Sequence, residues 1–179
     1  ERGPELDERV KAVEHFEKTG ELNLNANIQF GEGGAGTFSD GKLTTRVGDP
    51  LCAFVTDAFL QHGAPADIAW RQKPHVGTDL LRGIIRSIRQ EIIALGGEVR
   101  FNTALTGLKI ENGALAGVET TAGDFACEQL ILAVGHSARD TFAMLHGSGL
   151  PLECKPFSVG FRAEHLQTEI DKSLYHAAA

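Results

Sequence analysis

The sequence is short of cysteine, of basic charge and of long apolar runs, and each shortage closes off a class of protein. Its 179 residues hold three cysteines, Cys52, Cys127 and Cys154, odd in number and widely spaced, with no Cys-x-x-Cys pair. That pattern supports neither a disulfide framework nor a zinc site, and reduced, buried thiols are the expectation. Lys and Arg number 17 against 24 Asp and Glu, a formal charge of −7. A protein that grips nucleic acid through a general basic surface needs clustered cations, so no nucleic-acid partner is expected. An anionic cofactor stays open, because it needs only local donors and a helix N-terminus. No apolar run approaches the roughly 18–20 residues of a membrane-crossing helix, and no signal peptide is visible. The expectation is a cytoplasmic protein with no membrane partner. The seven histidines show no ligand spacing, so no metal is expected.

Glycine, by contrast, is abundant. Its 21 residues are clustered, which speaks of turns and close backbone approach rather than disorder. Apolar and charged shares of 42% and 23% are those of a globular domain, or of one domain and the start of another. Residues 7–19 read as a helix with Asp7 as cap and Gly20 as stop. After a polar, glycine-rich stretch over 23–48, Asp49-Pro50 opens a second helix that Gly63 and Pro65 end. Residues 78–95 form the clearest helix, capped by Thr78, with Leu81, Ile84, Ile85, Ile88, Ile92 and Leu95 on one stripe. A strand is expected over 98–102. A hairpin around Asn112-Gly113 and a turn at 122–124 then give a small antiparallel meander. The apolar run 130–134 suits a strand covered on both faces. Ser137 and Asp140 resemble a capping pair for the next helix, reaching about Leu145. A strand over 157–161 and a helix over 166–174 close the chain. The order predicts an α/β domain with a β insert.

Two glycine motifs invite a nucleotide reading. Gly31-Glu32-Gly33-Gly34-Ala35-Gly36 spells G-x-G-x-x-G, but no buried strand precedes it and no good helix start follows. It is not the primary dinucleotide turn. Gly36-Thr37-Phe38-Ser39-Asp40-Gly41-Lys42 matches most of a P-loop, but Leu43 stands where the magnesium-binding hydroxyl belongs. An ATPase is disfavoured. A loop whose backbone N–H groups make an anion-binding concavity is favoured over a plain surface loop. His75, His136 and His165 are the histidines in suggestive surroundings. Arg162, Glu164 and His165 read equally as a pocket lining or as a solvated strand end.

Joined, the segments are more specific. Glu1-Arg2-Gly3-Pro4, the glycine loop 31–43, Pro74-His75-Val76-Gly77-Thr78-Asp79, Leu132-Ala133-Val134-Gly135-His136-Ser137-Ala138-Arg139 and the run 155–165 follow one another along the chain. This succession resembles bacterial FAD-dependent dehydrogenases of the glutathione-reductase type, over essentially the whole chain. The resemblance implies an incomplete FAD/NAD(P)-binding Rossmann-like domain over 1–154, without its first βαβ glycine motif, and the start of a truncated substrate domain over 155–179. Glu1 would hold the adenosine ribose of FAD, with Arg2 beside it. Gly33, Gly34, Gly36, Thr37, Ser39 and Lys42 would lie near the flavin or its phosphates, and Lys42 would stabilise a reduced, anionic flavin. Ala104 and Leu105 would approach the adenine through the backbone. Ala133, Gly135 and His136 would form the second cofactor-contacting segment. The whole protein would then be an oxidoreductase acting on an unassigned small molecule with an unassigned electron donor, and homo-oligomerisation is open to it. Three other readings stand beside this one: a binding module that kept the fold and lost the cofactor, a phosphate-binding NTPase, and a flavoprotein that modifies tRNA. The glycine loop and Glu1 disfavour the first, Leu43 the second and the acidic balance the third.

Overall fold

The computed structural model describes residues 1–38, 41–45, 47–161 and 163–176. The first helix, α1, spans Leu6–Thr19, and Gly20 ends it with φ 77°. Asp7 is not its cap but lies inside the first turn. The N–H of Leu6 is capped from 26 residues away, by Glu32 Oε2 at 2.9 Å. The helix N-terminus is therefore satisfied by tertiary structure rather than by a local side chain.

Arg9 explains why the polar segment after α1 folds back on it. Its side chain is fully buried, 0% exposed. Its guanidinium donates to four main-chain carbonyls: Asn27 (2.9 Å), Ile28 (2.8 Å), Gly31 (3.3 Å) and Glu32 (2.5 Å). One planar, five-donor group thus fixes a loop that has no ladder of its own. Burial lowers the Arg9 pKa to about 10, opposed by the charges of Glu1 and Glu32, so the cation persists at neutral pH. Phe38, which ends a short 3-10 turn over Ala35–Phe38, lies between Arg9 (4.8 Å) and Arg82 (5.1 Å).

The second helix, α2, spans Cys52–Gln61. It starts later than Asp49-Pro50 suggested, yet Asp49 still serves the turn: its carboxylate accepts the N–H of Leu51 and its carbonyl that of Cys52. The third helix, α3, spans Thr78–Ala94, with Gly77 rather than Thr78 in the cap position. Leu81 and Ile84 of α3 pack with Ile68 and Val76, flanked by Phe59 and Leu60 of α2. The stripe is buried over its first turns only, since Ile92 and Leu95 are 41% and 79% exposed.

The meander forms as expected. Strands β1 (Leu105–Glu111), β2 (Ala114–Thr120) and β3 (Gly123–Ala126) pair antiparallel in that order. Asn112 and Gly113 take φ 51° and 81°, the positive pair that a two-residue type I′ turn requires. Helix α4 (Arg139–Gly147) and helix α5 (Gln167–Tyr175) follow. Ser137 and Asp140 do not form the expected capping pair: α4 begins at Arg139, and Asp140 sits inside its first turn.

Three expected strands are not strands. Residues 98–102 form no strand: the chain bends at Phe101 and Asn102 (φ 52°) and is tied to the N-terminal segment by Asn102 N–H to Gly3 O (2.9 Å) and Thr103 N–H to Glu1 O (2.8 Å). Residues 130–134 and 157–161 have no ladder. Ile131 is 92% exposed and Phe161 101%. An apolar run becomes a central strand only where neighbours take its N–H and C=O groups and cover both faces. The described residues provide neither, so their one hydrogen-bonded sheet is the antiparallel meander, within an α/β chain.

Replacing Arg9 by Met keeps the length and removes the donors. It is expected to cost about 3–5 kcal/mol, the usual loss when a buried charged network is broken. A urea midpoint within error of wild type would contradict this account of the loop.

Candidate functional site

A cleft of about 470 Å³ opens where the N-terminal segment, the loop around Gln29–Ala35, the start of β1 and the segment leading into α4 converge. Ligand pockets run from roughly 300 to 1,000 Å³, so the size suits a substantial part of a cofactor. Glu1 stands on one wall. Its Oε1 accepts N–H bonds from Gly3 (2.8 Å) and Gly31 (3.1 Å), while Oε2 has no hydrogen-bond partner among the described residues. A carboxylate held by one oxygen and open at the other is a positioned acceptor for a ligand hydroxyl. Gly3 permits this wall to form, because a Cβ there would lie 2.5 Å from the Gly31 Cα.

Arg2 lies beside it. Its guanidinium sits 4.6 Å from the centre of the Phe30 ring and pairs with Asp140 of α4. Burial is the largest single influence on the Asp140 carboxyl and pushes its pKa up. The Arg2 hydrogen bond, the Thr141 and Asp140 backbone N–H groups and the Arg2 charge together outweigh it and hold the carboxyl below its ordinary range. The floor comes from Ala104 and Leu105. Thr121 takes the N–H of Ala104 on its hydroxyl (2.9 Å) and gives its own N–H to the Ala104 carbonyl (3.0 Å). The Ala104 N–H is therefore committed to Thr121. Ala133, Val134, Gly135 and His136 form the opposite wall, which runs into the first turn of α4 through Ser137, Ala138 and Thr141. The helix N-terminus adds a favourable environment for negative charge.

The cleft thus brings together Glu1, Arg2, Gly34, Ala104, Leu105, Ala133, Gly135 and His136 from the sequence-predicted set. It does not take in Gly33, Gly36, Thr37 or Lys42. Gly33, at φ 84°, is where the loop presses on α3: a Cβ there would meet the Thr37 hydroxyl and lie 2.5 Å from Ile85 Cδ1. Thr37 is fully buried, with its hydroxyl 3.5 Å from the Glu32 carbonyl. Lys42 forms an antiparallel bridge with His75, flanked by Leu43 N–H to Pro74 O and Val76 N–H to Gly41 O. Ser39, like Arg162 of the polar cluster, lies outside the described residues; Glu164 and His165 are exposed. The sequence reading missed Gln29, Phe30, Ala35 and Thr141 as lining residues. It missed Asp140 as the partner of Arg2, because nothing in local spacing links positions 2 and 140.

A second chemical constellation lies elsewhere. His62, closing α2, has Nδ1 2.8 Å from Ser87 Oγ and Nε2 2.7 Å from Glu91 Oε2. The order Ser, His, Glu resembles a nucleophilic triad. Neither this cleft nor the smaller apolar groove beside α1 reaches Ser87. A substrate carbonyl would also find no free helix N–H there, because Ser87 lies mid-helix in α3. The three side chains are a clasp between α2 and α3. Among the described residues no group of three His, Cys, Asp or Glu side chains is placed to hold a metal, and no helix is long and apolar enough to cross a membrane.

A glycine-rich loop, a carboxylate held by two main-chain N–H groups and a helix N-terminus meet around one cleft. Residues 82–178 match the family model described as FAD dependent oxidoreductase, and the chain belongs to that family, whose cofactor is FAD. A Clostridium beijerinckii protein bearing the description "Uncharacterized protein" is 49% identical over 175 residues, a match that takes in 98% of this chain and 33% of that one. The chain therefore spans about a third of the length of the curated relative it matches.

Removing Arg2 should raise the Asp140 pKa. The stability contributed by this depressed carboxyl is present above its unfolded value of about 3.9 and is lost as pH falls through the lower folded value. A carboxyl-detected NMR titration of wild type and Arg2→Gln checks the direction; an unmoved Asp140 would remove Arg2 as the cause.

Proposed function

We propose that the chain is part of an FAD-dependent oxidoreductase, a dehydrogenase of small-molecule substrates, and that the cleft takes the adenosine end of the cofactor. The observation that carries this is the Glu1 carboxylate, fixed on one oxygen by two main-chain N–H groups and open on the other. FAD supplies the electron and hydride chemistry through its isoalloxazine ring. The chain's own residues bind and orient. Glu1 accepts ribose hydroxyls. Ala104, Leu105, Ile131 and Val134 keep water from the apolar faces of the adenosine. The first turn of α4 sets a positive backbone potential beside the wall at Gly135 and His136.

In this reading the pyrophosphate-binding glycine turn implied by the resemblance belongs to a part of the whole protein outside these 179 residues. Residues from Lys155 onward lead into a substrate domain, and the enzyme works in the cytoplasm. The family match over 82–178 supports the class, and the 49% identity to a protein about three times as long supports the placement within a longer chain.

The test is a visible spectrum of the protein extended to its natural start, taken before and after denaturation. Released flavin is expected. Glu1→Gln in that protein should weaken FAD binding about tenfold to a hundredfold, the loss of a hydrogen bond to a charged group. An extended protein that carries no flavin even after FAD is added would instead support a binding module that kept the fold without the cofactor.

A further inference from the structure

Arg2 lines the cleft beside Glu1. Its side chain is only 16% exposed, while its partner Asp140 is 64% exposed. The cation is thus the withdrawn member of the pair and Asp140 reaches in from α4 to neutralise it. A buried arginine without a counter-charge is a strong attractor of phosphate, whose oxygens its fork matches in geometry and charge. The neighbouring residue is Glu1, which lines the same cleft and whose Oε2 has no hydrogen-bond partner among the described residues.

We propose that Asp140 is a specificity-determining residue: by occupying Arg2 it leaves the cleft selective for nucleotides with free ribose hydroxyls and hostile to those carrying a 2′-phosphate. This rests on the proposed adenosine site. A ribose hydroxyl donates to Glu1 and needs nothing from Arg2. A 2′-phosphate would meet the Glu1 carboxylate and a cation already paired, so it would have to displace Asp140 from Arg2 before gaining an ion pair of its own. Asp140 acts through Arg2 and is itself outside the cleft lining. Sequence distance hid the arrangement, since 138 residues separate the partners.

The two probes are 5′-AMP and adenosine 2′,5′-bisphosphate, titrated with ligand-detected NMR, which reads weak binding, into the protein extended to its natural start after its flavin has been removed. Wild type is expected to prefer 5′-AMP. Asp140→Asn should shift the affinity ratio toward the bisphosphate by about tenfold, the scale of one new charge-assisted contact. Asp140→Ser, a second neutral variant, should do the same if the first folds poorly. Asp140→Glu should keep the wild-type preference, and Arg2→Gln added to either neutral variant should abolish the shift. A ratio unchanged in both neutral variants, with 5′-AMP still bound, would overturn the role of Asp140 and leave the adenosine site standing. No 5′-AMP binding by any of the proteins would overturn the site and this inference together. Release of flavin by the extended protein decides the oxidoreductase assignment independently.

Discussion

The buried guanidinium of Arg9 is the constraint on which the rest of the site depends. The segment 20–34 has no sheet ladder and no long helix to satisfy its main chain, so its carbonyls need donors from elsewhere. Arg9 supplies them to Asn27, Ile28, Gly31 and Glu32 at once. With Gly31 fixed, its N–H can hold Glu1, and the open carboxylate oxygen of Glu1 follows. With Glu32 fixed, its side chain can cap α1 at Leu6. One cation on the inner face of a helix therefore sets both the start of that helix and one wall of the cleft.

Ionic contacts extend this arrangement to α3. Arg89 reaches Glu5 at 3.0 Å and lies 3.0 Å from Glu32 Oε1, although its Nε–H is not aimed at that oxygen, so the second contact is an ion pair rather than a hydrogen bond. Arg86 pairs with Asp7 nearer the surface. Exposed pairs such as the last contribute little energy on their own. Their effect is orientational: they set α1 against α3 while Phe38, between Arg9 and Arg82, and Gly33, against Ile85, bring the glycine loop onto the same helix. The loop that looked like a ligand cradle thus divides its work. Its Gly34-Ala35 end faces the cleft, and its Gly33 and Thr37 positions are packing positions. The two uses look identical in sequence, since close backbone approach to a helix and to a ligand both demand glycine.

What was legible came from local rules. Helices α1, α3 and α5 and the three-stranded meander follow from apolar spacing, glycine stops and the Asn112-Gly113 turn, whose positive φ pair few other residues tolerate. The apolar runs 130–134 and 157–161 misled for a physical reason. Hydrophobicity marks a segment that prefers to be covered, but a strand exists only where a neighbour completes its hydrogen bonds, and that neighbour is not written in the segment itself. The caps failed similarly. Asp7 and Asp140 stand at first turns where acidic residues are favoured anyway, and their carboxylates went to Arg86 and Arg2 instead.

By itself the sequence determined the class of each local element, the acidic and cofactor-compatible character of the chain, and the motif succession that the FAD dependent oxidoreductase family model matches in part, over 82–178. These depend on interactions within a few residues or on composition, which a linear reading can sum. Only the tertiary structure decided which glycines face the cleft, that Glu1 keeps one oxygen open, and that Arg2 is answered by Asp140. The last two rest on groups 30 and 138 residues apart meeting at hydrogen-bond distance, Glu1 with Gly31 and Arg2 with Asp140, and buried Arg9 holds the Gly31 end in place.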